Sequence, residues 1–373
     1  MNCYDAIIVG GGLAGLTAAL ELSGRGYEVA VFEKSPYPRH KVCGEYLSRE
    51  VMPYLQKLGI DLNGAVMIDT LKLSTRSGKS FTARLPLGGI GISRYALDNA
   101  LYQKCLEKKV RFYFETVSQI AFEENTFKIE GATGTCYQAI IAIGAYGKRS
   151  NLDKALDRPF IKQKSPWLAV KAHYEYGGFP ENLVALHNFE GGYCGLSRTE
   201  TGAVNMCYLA SYDTFSRYRD IQAFNEHVLS QNPYLKAFFE KAKALWEQPL
   251  SIAQISFAKK EAVANHVLFC GDTAGLIHPL CGNGMAMAIH SAKLAAEGIA
   301  RYLESADYER TKLEADYART WKRHFDLRLR FGRNLQHLLL SDQLSGALFS
   351  GLAKFPGLTN LVIRKTHGNP ISV

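Results

Sequence analysis

The sequence predicts an α/β fold in three parts: a nucleotide-binding βαβ domain, an antiparallel sheet inserted into that domain, and a helical C-terminal region. The first part rests on residues 4–34, where YDAIIVG, GGLAGLTAALELSGRG and YEVAVFEK have the apolar patterns of a strand, a helix and a second strand. The second rests on segments of alternating polarity in residues 66–92 and 165–212. The third rests on a basic, helix-forming stretch that begins near residue 306.

The composition is that of a folded globular protein, since 47% of its 373 residues are hydrophobic and 21% are charged. No apolar run approaches the roughly 18 to 20 residues of a membrane span, and the N-terminus lacks the basic start of a secretory signal. Eight cysteines without a CxxC pair argue against a zinc site or a disulfide framework, so we expect a cytoplasmic protein without a metal. The net charge of +9 suits a phosphate-bearing cofactor, an anionic substrate or an anionic membrane, and is too small to indicate nucleic acid.

Three glycines follow the first predicted strand at the spacing GxGxxG, namely Gly10, Gly12 and Gly15. The first permits a tight turn, the second lets the backbone approach a pyrophosphate, and the third lets the helix pack closely on the strand. The start of the helix, which includes Leu13 and Ala14, would meet the phosphates with free N–H groups. This segment therefore predicts a Rossmann-type dinucleotide site.

An acidic residue, Glu33, ends the second predicted strand 18 residues after Gly15, and Lys34 follows it. A carboxylate at this place can accept hydrogen bonds from the adenosine ribose hydroxyls. The same carboxylate would repel a 2′-phosphate, so we expect that NADP does not occupy this site.

The segment HVLFCGDTAGLIHPLCGNGMAMAIHSAKL near residue 270 distinguishes FAD from NAD. A flavin has a ribityl chain whose hydroxyls a carboxylate can accept from, and a ring that gathers negative charge on reduction, which a helix N-terminus stabilises. A strand that ends in an aspartate and a glycine-rich helix start meet both needs. The predicted cofactor-binding residues here are Gly271, Asp272, Gly282, Asn283, Gly284 and Met285.

The GxGxxG unit near the N-terminus and the strand, aspartate and glycine-rich helix start near residue 270 together form a pattern. This pattern resembles the FAD-dependent oxidoreductase superfamily of p-hydroxybenzoate hydroxylase, the geranylgeranyl reductases and the flavin-dependent halogenases. The resemblance implies that Arg94, in GISRYALDNAL, lies near the FAD phosphates or ribityl chain. It also identifies AIIAIGAYGKRSNL as the family's third fingerprint, in which Tyr146 replaces an aspartate. The implied domain boundaries are 1–62, 93–160 and 262–305 for the FAD-binding domain, 63–92 and 161–261 for the substrate domain, and 306–373 for the C-terminal helical region.

The stretch PRHKVCGEYLS, residues 38–48, is similar to the PxxKxCG sequence of the geranylgeranyl reductase branch. That resemblance implies that Cys43 faces the flavin ring and that Gly44 lets the backbone approach it. Cys43 and Glu45 are predicted catalytic residues. The Cys43 thiol is either a proton donor or substrate-orienting group in reduction, or a small residue that packs beside the flavin. His40 and Lys41 lie in a predicted loop, where basic side chains are more often solvated than engaged with phosphate.

The inserted sheet is expected to cover the flavin and to line a substrate cavity, with Phe189, Tyr193, Leu196 and Tyr208 as candidates. His278, beside Pro279, is the third predicted catalytic residue, whereas His173 and His187 fit structural roles better. The C-terminal segment carries Arg319, Lys322, Arg323, Arg328, Arg330 and Arg333. Its basic face is solvated, caps the substrate cavity or is in peripheral contact with an anionic membrane.

These features favour a geranylgeranyl-reductase-like enzyme that reduces carbon–carbon double bonds of a lipophilic small-molecule substrate, isoprenoid or polyketide-like. An aromatic monooxygenase is the alternative. A halogenase is disfavoured because the WxWxIP motif of those enzymes is absent, and a non-catalytic flavin-binding module would not need the inserted sheet. FAD is the predicted cofactor, with NADPH or reduced ferredoxin as the electron donor.

Overall fold

The computed structural model of the chain describes residues 3–340 and 368–372. Its strands are β1 (Cys3–Val9), β2 (Val29–Phe32), β3 (Tyr46–Ser48), β4 (Val66–Ser74), β5 (Ser80–Gly91), β6 (Arg111–Tyr113), β7 (Val117–Glu123), β8 (Thr126–Gly131), β9 (Cys136–Gly144), β10 (Trp167–Glu175), β11 (Leu183–Phe189), β12 (Gly192–Arg198), β13 (Val204–Ser211), β14 (Lys243–Ala244), β15 (Leu250–Ile252), β16 (Val263–Ala264) and β17 (Val267–Phe269).

The helices lie between these strands and at the C-terminal end. They are α1 (Leu13–Gly24), α2 (Met52–Lys57), α3 (Arg94–Glu107), α4 (Asn151–Ala155), α5 (Tyr212–Phe215), α6 (Ile221–His227), α7 (Pro233–Lys241), α8 (Gly284–Glu304) and α9 (Arg310–Leu340). None of the helices in the described ranges combines the length and the apolarity that crossing a bilayer would take.

The first sheet has the strand order β16-β17-β9-β1-β2-β6, and its pairs from β17 to β6 are parallel. The central strands are continuous apolar runs because both faces are covered; Ile7 and Ile8 in β1 are fully buried. Helices α1, α3 and α8 pack together beside this sheet. The carboxyl ends of β1, β9 and β17 therefore lie side by side, which is where ligands bind in such folds.

The second sheet has the order β14-β10-β13-β12-β11-β4-β5-β3, with β15 also paired to β10. Its pairs are antiparallel apart from β4 and β11, which run parallel. One face packs on α6 and α7 through a core that includes Leu196, Met206 and Phe224. The predicted fold class, a Rossmann-type domain with an inserted sheet and a helical C-terminal region, is confirmed.

The chain crosses between the two sheets early, because β3 follows β2 in sequence yet pairs with β5 of the second sheet. The sequence assigns residues 46–48 to the FAD-binding domain, but the structure places them in the second sheet. Helix α9 forms the first part of the predicted C-terminal region. Residues 341–367 of that region lie outside the described residues.

Candidate functional site

The glycine-rich turn between β1 and α1 has the geometry that its sequence predicts. Gly10 has a φ of +109°, which a residue with a side chain rarely adopts. A Cβ on Gly15 would lie 1.9 Å from the Gly10 carbonyl oxygen, so only glycine lets α1 start this close to β1. The N-cap residue Gly12 supplies no side-chain cap, and Gly12, Leu13 and Ala14 line a cavity. The first N–H groups of α1 thus remain available for an anion.

Two cations lie beside this turn and share one buried carboxylate. Arg94 Nε is 2.6 Å from Asp98 Oδ1, and Lys41 Nζ is 2.9 Å from Asp98 Oδ2. Although burial opposes its ionisation, these two cations hold the pKa of Asp98 below its ordinary value. A Cβ on Gly12 would be 3.7 Å from the Arg94 guanidinium and 4.0 Å from Lys41 Nζ. This donor set fits a pyrophosphate, and the expectation that Lys41 is simply solvated is wrong.

Glu33 lies at the end of β2 beside the same turn, as predicted. Its Oε2 accepts from the Gly11 N–H at 3.0 Å, and its Oε1 accepts from the Arg39 guanidinium at 2.6 Å. Each carboxylate oxygen keeps a second acceptor site, which a ribose hydroxyl could fill. Lys34 is exposed.

The second cofactor segment meets the turn from the opposite side. Gly271 has a φ of +61° and donates its N–H to Ser291 Oγ at 2.9 Å, so the end of β17 is fixed to α8. The Asp272 carboxylate, half-buried in the cavity wall, accepts no hydrogen bond from any described residue, and is therefore available for a ribityl hydroxyl. The other predicted residues, Gly282, Asn283, Gly284 and Met285, line the cavity around the start of α8.

Tyr146, which replaces the family aspartate, packs away from this cavity. Its hydroxyl donates to Asp153 Oδ1 at 3.0 Å, and the turn beside it is held because the Gly147 N–H donates to Thr273 Oγ1 at 2.8 Å. Ser150 caps α4, and Asp153 completes the capping box. The turn thus forms without an aspartate at position 146.

Residues 38–48, which we call the reactive segment, reach the cavity between the glycine-rich turn and the start of α8. Cys43, Gly44 and Glu45 line the cavity, and a Cβ on Gly44 would meet nothing within 4 Å, so the bare backbone faces open space. Cys43 Sγ accepts from the Glu45 N–H at 3.5 Å. Asn205 and Ser197 of the second sheet donate to the Cys43 and Gly44 carbonyl oxygens, each at 3.3 Å. The segment is therefore held by the sheet that lines the rest of the cavity.

Glu45 is fully buried and has a φ of +54°, a left-handed conformation for a residue with a side chain. Its Oε1 accepts from Lys171 Nζ at 2.5 Å and from the Arg94 N–H at 2.8 Å, and its Oε2 lies 2.7 Å from His173 Nε2. Burial opposes ionisation, yet His173 and Lys171 hold the pKa of Glu45 below its ordinary value. An ionised carboxylate only accepts, so Nε2 of His173 carries the proton.

Lys171 and His173 are functional candidates that the sequence reading missed or set aside. They alternate on β10, WLAVKAHYE, and so point to one face of a strand that is otherwise apolar. Two polar residues at that spacing in a buried strand need partners inside the protein, a signal that was available in the sequence. His40, Glu45 and His173 could together ligate a metal, but the Lys171 ammonium beside Glu45 opposes a divalent cation.

His278 lies behind the cavity wall. It is 1% exposed, and its ring contacts Phe257 and Tyr193 at centroid distances of 4.8 and 5.7 Å. Its neighbours Ile277 and Pro279 line the cavity. A catalytic role for His278 stays a prediction that this placement does not support.

The remainder of the cavity, about 440 Å³ in all, is apolar. The side chains from the second sheet that face it are uncharged in the described part of the chain, and Ile255, Leu276 and Phe331 add to them. Those from the sheet include Leu71, Leu73, Phe81, Leu85, Val184, Leu186, Tyr193 and Leu209. Tyr193 thus faces the cavity as predicted. Leu196 and Tyr208 also border the cavity, but their side chains pack in the core with Phe224, as does Phe189.

Residues 5–42 match a family model described as FAD dependent oxidoreductase. A menaquinone reductase of Mycobacterium tuberculosis is 25% identical over 333 residues, which are 82% of this chain and 78% of that protein. A kynurenine 3-monooxygenase of Salinispora arenicola is 24% identical over 363 residues, covering 86% and 77%.

Solved structures share the fold over almost the whole chain. A flavin-dependent brominase superposes with a TM-score of 0.80 at 18% identity, covering 98% of this chain and 93% of its own. A geranylgeranyl bacteriochlorophyll reductase-like protein of Thermoplasma acidophilum gives 0.78 at 20% identity, covering 95% and 92%. The chain is an FAD-dependent oxidoreductase, and it shares the fold of these flavoenzymes.

Proposed function

We propose that the protein reduces carbon–carbon double bonds of a lipophilic substrate, isoprenoid or polyketide-like, with FAD as its cofactor. The observation that carries this proposal is that one cavity holds both the predicted FAD-binding residues and an apolar section, which is lined by the apolar side chains of the second sheet. Within the described residues, no charged side chain of that sheet separates the two. Among residues 3–340 and 368–372, the charged residues on the cavity wall are Glu45, Arg94, Lys148 and Asp272, and none of these four comes from the second sheet. Such a cavity fits hydrocarbon and offers little to an anionic substrate.

The chain's own residues supply what the reduction needs besides electrons. When bound and reduced, FAD would supply the hydride that one carbon of the double bond needs. Leu73, Leu186 and Leu209 hold the hydrocarbon and exclude water. The second carbon needs a proton, and Cys43 and Glu45 are the proton-carrying residues that line the cavity at the reactive segment.

Aromatic hydroxylation is the second candidate, because a kynurenine 3-monooxygenase is among the relatives and the aromatic side chains Phe81 and Tyr193 would suit a ring. The likeness to a brominase concerns the fold, and the WxWxIP motif is absent from this chain. Reduction remains our choice because the KVCGE segment is seated in the cavity.

The test compares products formed by the FAD-loaded protein from polyprenyl and aromatic polyketide candidates, with and without oxygen. Reduction predicts a product that gains two hydrogens under anaerobic conditions. A product that gains one oxygen, formed only in air, would replace reduction by hydroxylation. NADPH and reduced ferredoxin are offered separately as donors, and the rate of flavin reduction identifies the one used.

Leu73 provides a variant for the same assay because it lines the apolar section and is half-buried. Leu73→Trp should fill the section and raise the KM for a lipophilic substrate about 10-fold or more, with unchanged FAD content. Leu106→Trp is the matched control, since Leu106 is 43% exposed on α3. Equal KM values for the two variants would place the substrate elsewhere.

A lipophilic substrate is met at a membrane, so peripheral contact belongs to the proposal. Helix α9 exposes Arg319, Lys322, Arg323 and Arg330 together with Leu327, which is 63% exposed. Anionic vesicles should therefore sediment the protein more strongly than neutral vesicles at low salt. Equal sedimentation would assign these cations to a solvated surface.

A further inference from the structure

The cavity is connected to the protein surface by a row of proton-carrying side chains. Glu45 lies on the cavity wall, and its Oε2 is 2.7 Å from His173 Nε2. The ring of His173 is 5.0 Å from that of His40, measured between centroids. One ring nitrogen of each histidine and one oxygen of Glu45 lie within 4.8 Å of one another, and a gap of that size accommodates a bridging water.

His40, at one end of this row, is partly exposed to solvent, whereas Glu45, at the other end, is fully buried. His173 is 4% exposed, whereas His40 is half-buried and its ring contacts the exposed Tyr95 at 4.9 Å. Trp246 covers both histidines, with centroid distances of 4.5 Å to His173 and 4.6 Å to His40. Trp246 therefore packs against both imidazoles of the row.

His40 has a ring nitrogen that is free to accept or donate a proton, as a proton carrier requires. Its Nδ1 is buried and makes no hydrogen bond within the described residues. Burial, with Lys171 and His173 nearby, lowers the pKa of His40 to about 4. A neutral imidazole has one donor and one acceptor nitrogen, so it can take a proton at one nitrogen as it releases one from the other.

We propose that His40, His173 and Glu45 form a path that brings protons from solvent to the cavity. The inference rests on the proposed reduction for its use, since each double bond reduced consumes one proton from the chain. One nitrogen of His40 takes up a proton from solvent as the other releases one, through a bridging water, to the free ring nitrogen of His173. The N–H of His173 Nε2 then breaks as an O–H forms on Glu45 Oε2. That O–H breaks in turn as the proton passes to the Cys43 thiolate or to the substrate carbon. One proton moves inward for each step, and no electrons are transferred.

Lys171 is a positioning residue in this path. Its ammonium holds Glu45 Oε1 at 2.5 Å and leaves Oε2 for His173. It also donates to the Lys41 carbonyl oxygen at 3.2 Å, which fixes the ammonium to the reactive segment. The carboxylate is therefore returned to its ionised form after each transfer, ready to accept again.

The path is tested by solvent exchange of the Nε2 proton of His173, followed by NMR in FAD-loaded protein without substrate. His40→Ala removes the outer carrier and should slow this exchange, and imidazole in the buffer should restore the rate. Turnover should fall about 10²-fold, in the range of lost acid–base catalysis, and should recover with imidazole. FAD content and melting temperature should stay unchanged.

Two further variants keep the result decisive. His40→Gln preserves size without the ability to relay and should behave as His40→Ala does, even where the smaller side chain disturbs packing. His266→Ala removes an exposed histidine that pairs with Glu314 away from the cavity, and should change nothing. Exchange that is unchanged or faster in both His40 variants would show that His40 only shields His173, and would overturn the path. Because this readout needs no substrate, it holds or fails separately from the proposed reduction.

Discussion

The two ends of the cavity are built in different ways. The FAD end is made of backbone and ions, with Gly12 at a helix start and Arg94 and Lys41 paired to Asp98. The substrate end is made of apolar side chains from several strands, such as Leu73, Leu186 and Leu209. Residues 43–45 of the reactive segment lie where the two meet.

This difference predicts that FAD binding and the choice of substrate can be altered separately in this protein. At the FAD end, even a small added side chain should strongly weaken FAD binding, because backbone atoms themselves would approach the ligand. At the substrate end, apolar side chains of similar volume can replace one another at modest cost. Variants placed at each end, and at the segment between them, therefore test whether the two functions are independent.

The largest effect is expected at the glycine turn. Gly15→Ala places a Cβ 1.9 Å from the Gly10 carbonyl oxygen, so α1 must move and the protein should lose its bound FAD. The absorbance of purified protein at flavin wavelengths measures this loss. Gly24→Ala, at the far end of the same helix, meets nothing within 4 Å and should keep FAD. Full FAD content in Gly15→Ala would contradict the close approach of α1 to β1.

The next effect concerns turnover. Cys43→Ala should lower substrate reduction about 10²- to 10⁴-fold, the range for loss of a general acid, while flavin reduction by the donor stays intact. Stopped-flow absorbance separates the two steps. Cys136→Ala, which removes an exposed thiol, serves as control. An active Cys43→Ala enzyme would assign the thiol to packing beside the flavin.

A stability effect is expected where the two ends meet. Glu45→Gln leaves the fully buried Lys171 ammonium without its counter-charge, which should lower the free energy of unfolding by about 3 to 5 kcal/mol. Adding Lys171→Met should recover much of the loss in urea unfolding. Asp157→Asn, in an exposed pair with Lys162, should cost at most about 1 kcal/mol. A double variant as unstable as Glu45→Gln would mean that the pair is not coupled.

The ion pair of Glu45 and Lys171 also predicts how the free energy of unfolding changes with pH. The pKa of Glu45 is lower in the folded chain than its ordinary value near 4.3. Its stabilisation is therefore present above about pH 4.3 and is lost as the pH falls through the folded value. Melting temperatures between about pH 7 and pH 3 should fall more steeply for the native chain than for the Glu45→Gln/Lys171→Met variant. Parallel curves would contradict an ionised Glu45.

The smallest effect is expected at Asp272. Asp272→Ala removes one predicted hydrogen bond to a ribityl hydroxyl and should weaken FAD binding by about 1 to 3 kcal/mol. Titration of FAD into the FAD-free protein measures this change. Loss of FAD as complete as in Gly15→Ala would show that the carboxylate also shapes the turn at Gly271.

The FAD end was predictable because its signals are local in sequence. GxGxxG, the acid at position 33 and the glycine-rich start of α8 each occupy a few consecutive residues whose backbone geometry follows from residue type. The sharing of Asp98 by Lys41 and Arg94 was not predicted. It depends on α3 lying against the reactive segment, which the sequence does not specify.

The partners of Glu45 were beyond sequence reasoning for a different reason. Lys171 and His173 are 126 and 128 residues away from it, on a strand whose register with the reactive segment arises only from tertiary packing. His278 illustrates the converse. It is close in sequence to residues that line the cavity, yet its ring turns into the core between Phe257 and Tyr193.

The early crossing of the chain from β2 to β3 bears on how chimeric enzymes should be assembled from this scaffold. Residues 33–45 tether one sheet to the other and carry Cys43 and Glu45, so a splice junction inside them would separate the reactive segment from one of its supports. Junctions around residues 183–211 exchange β11 to β13 and most of the apolar wall. A graft of that kind should retain Ser197 and Asn205, because they hold the tether by its carbonyl groups.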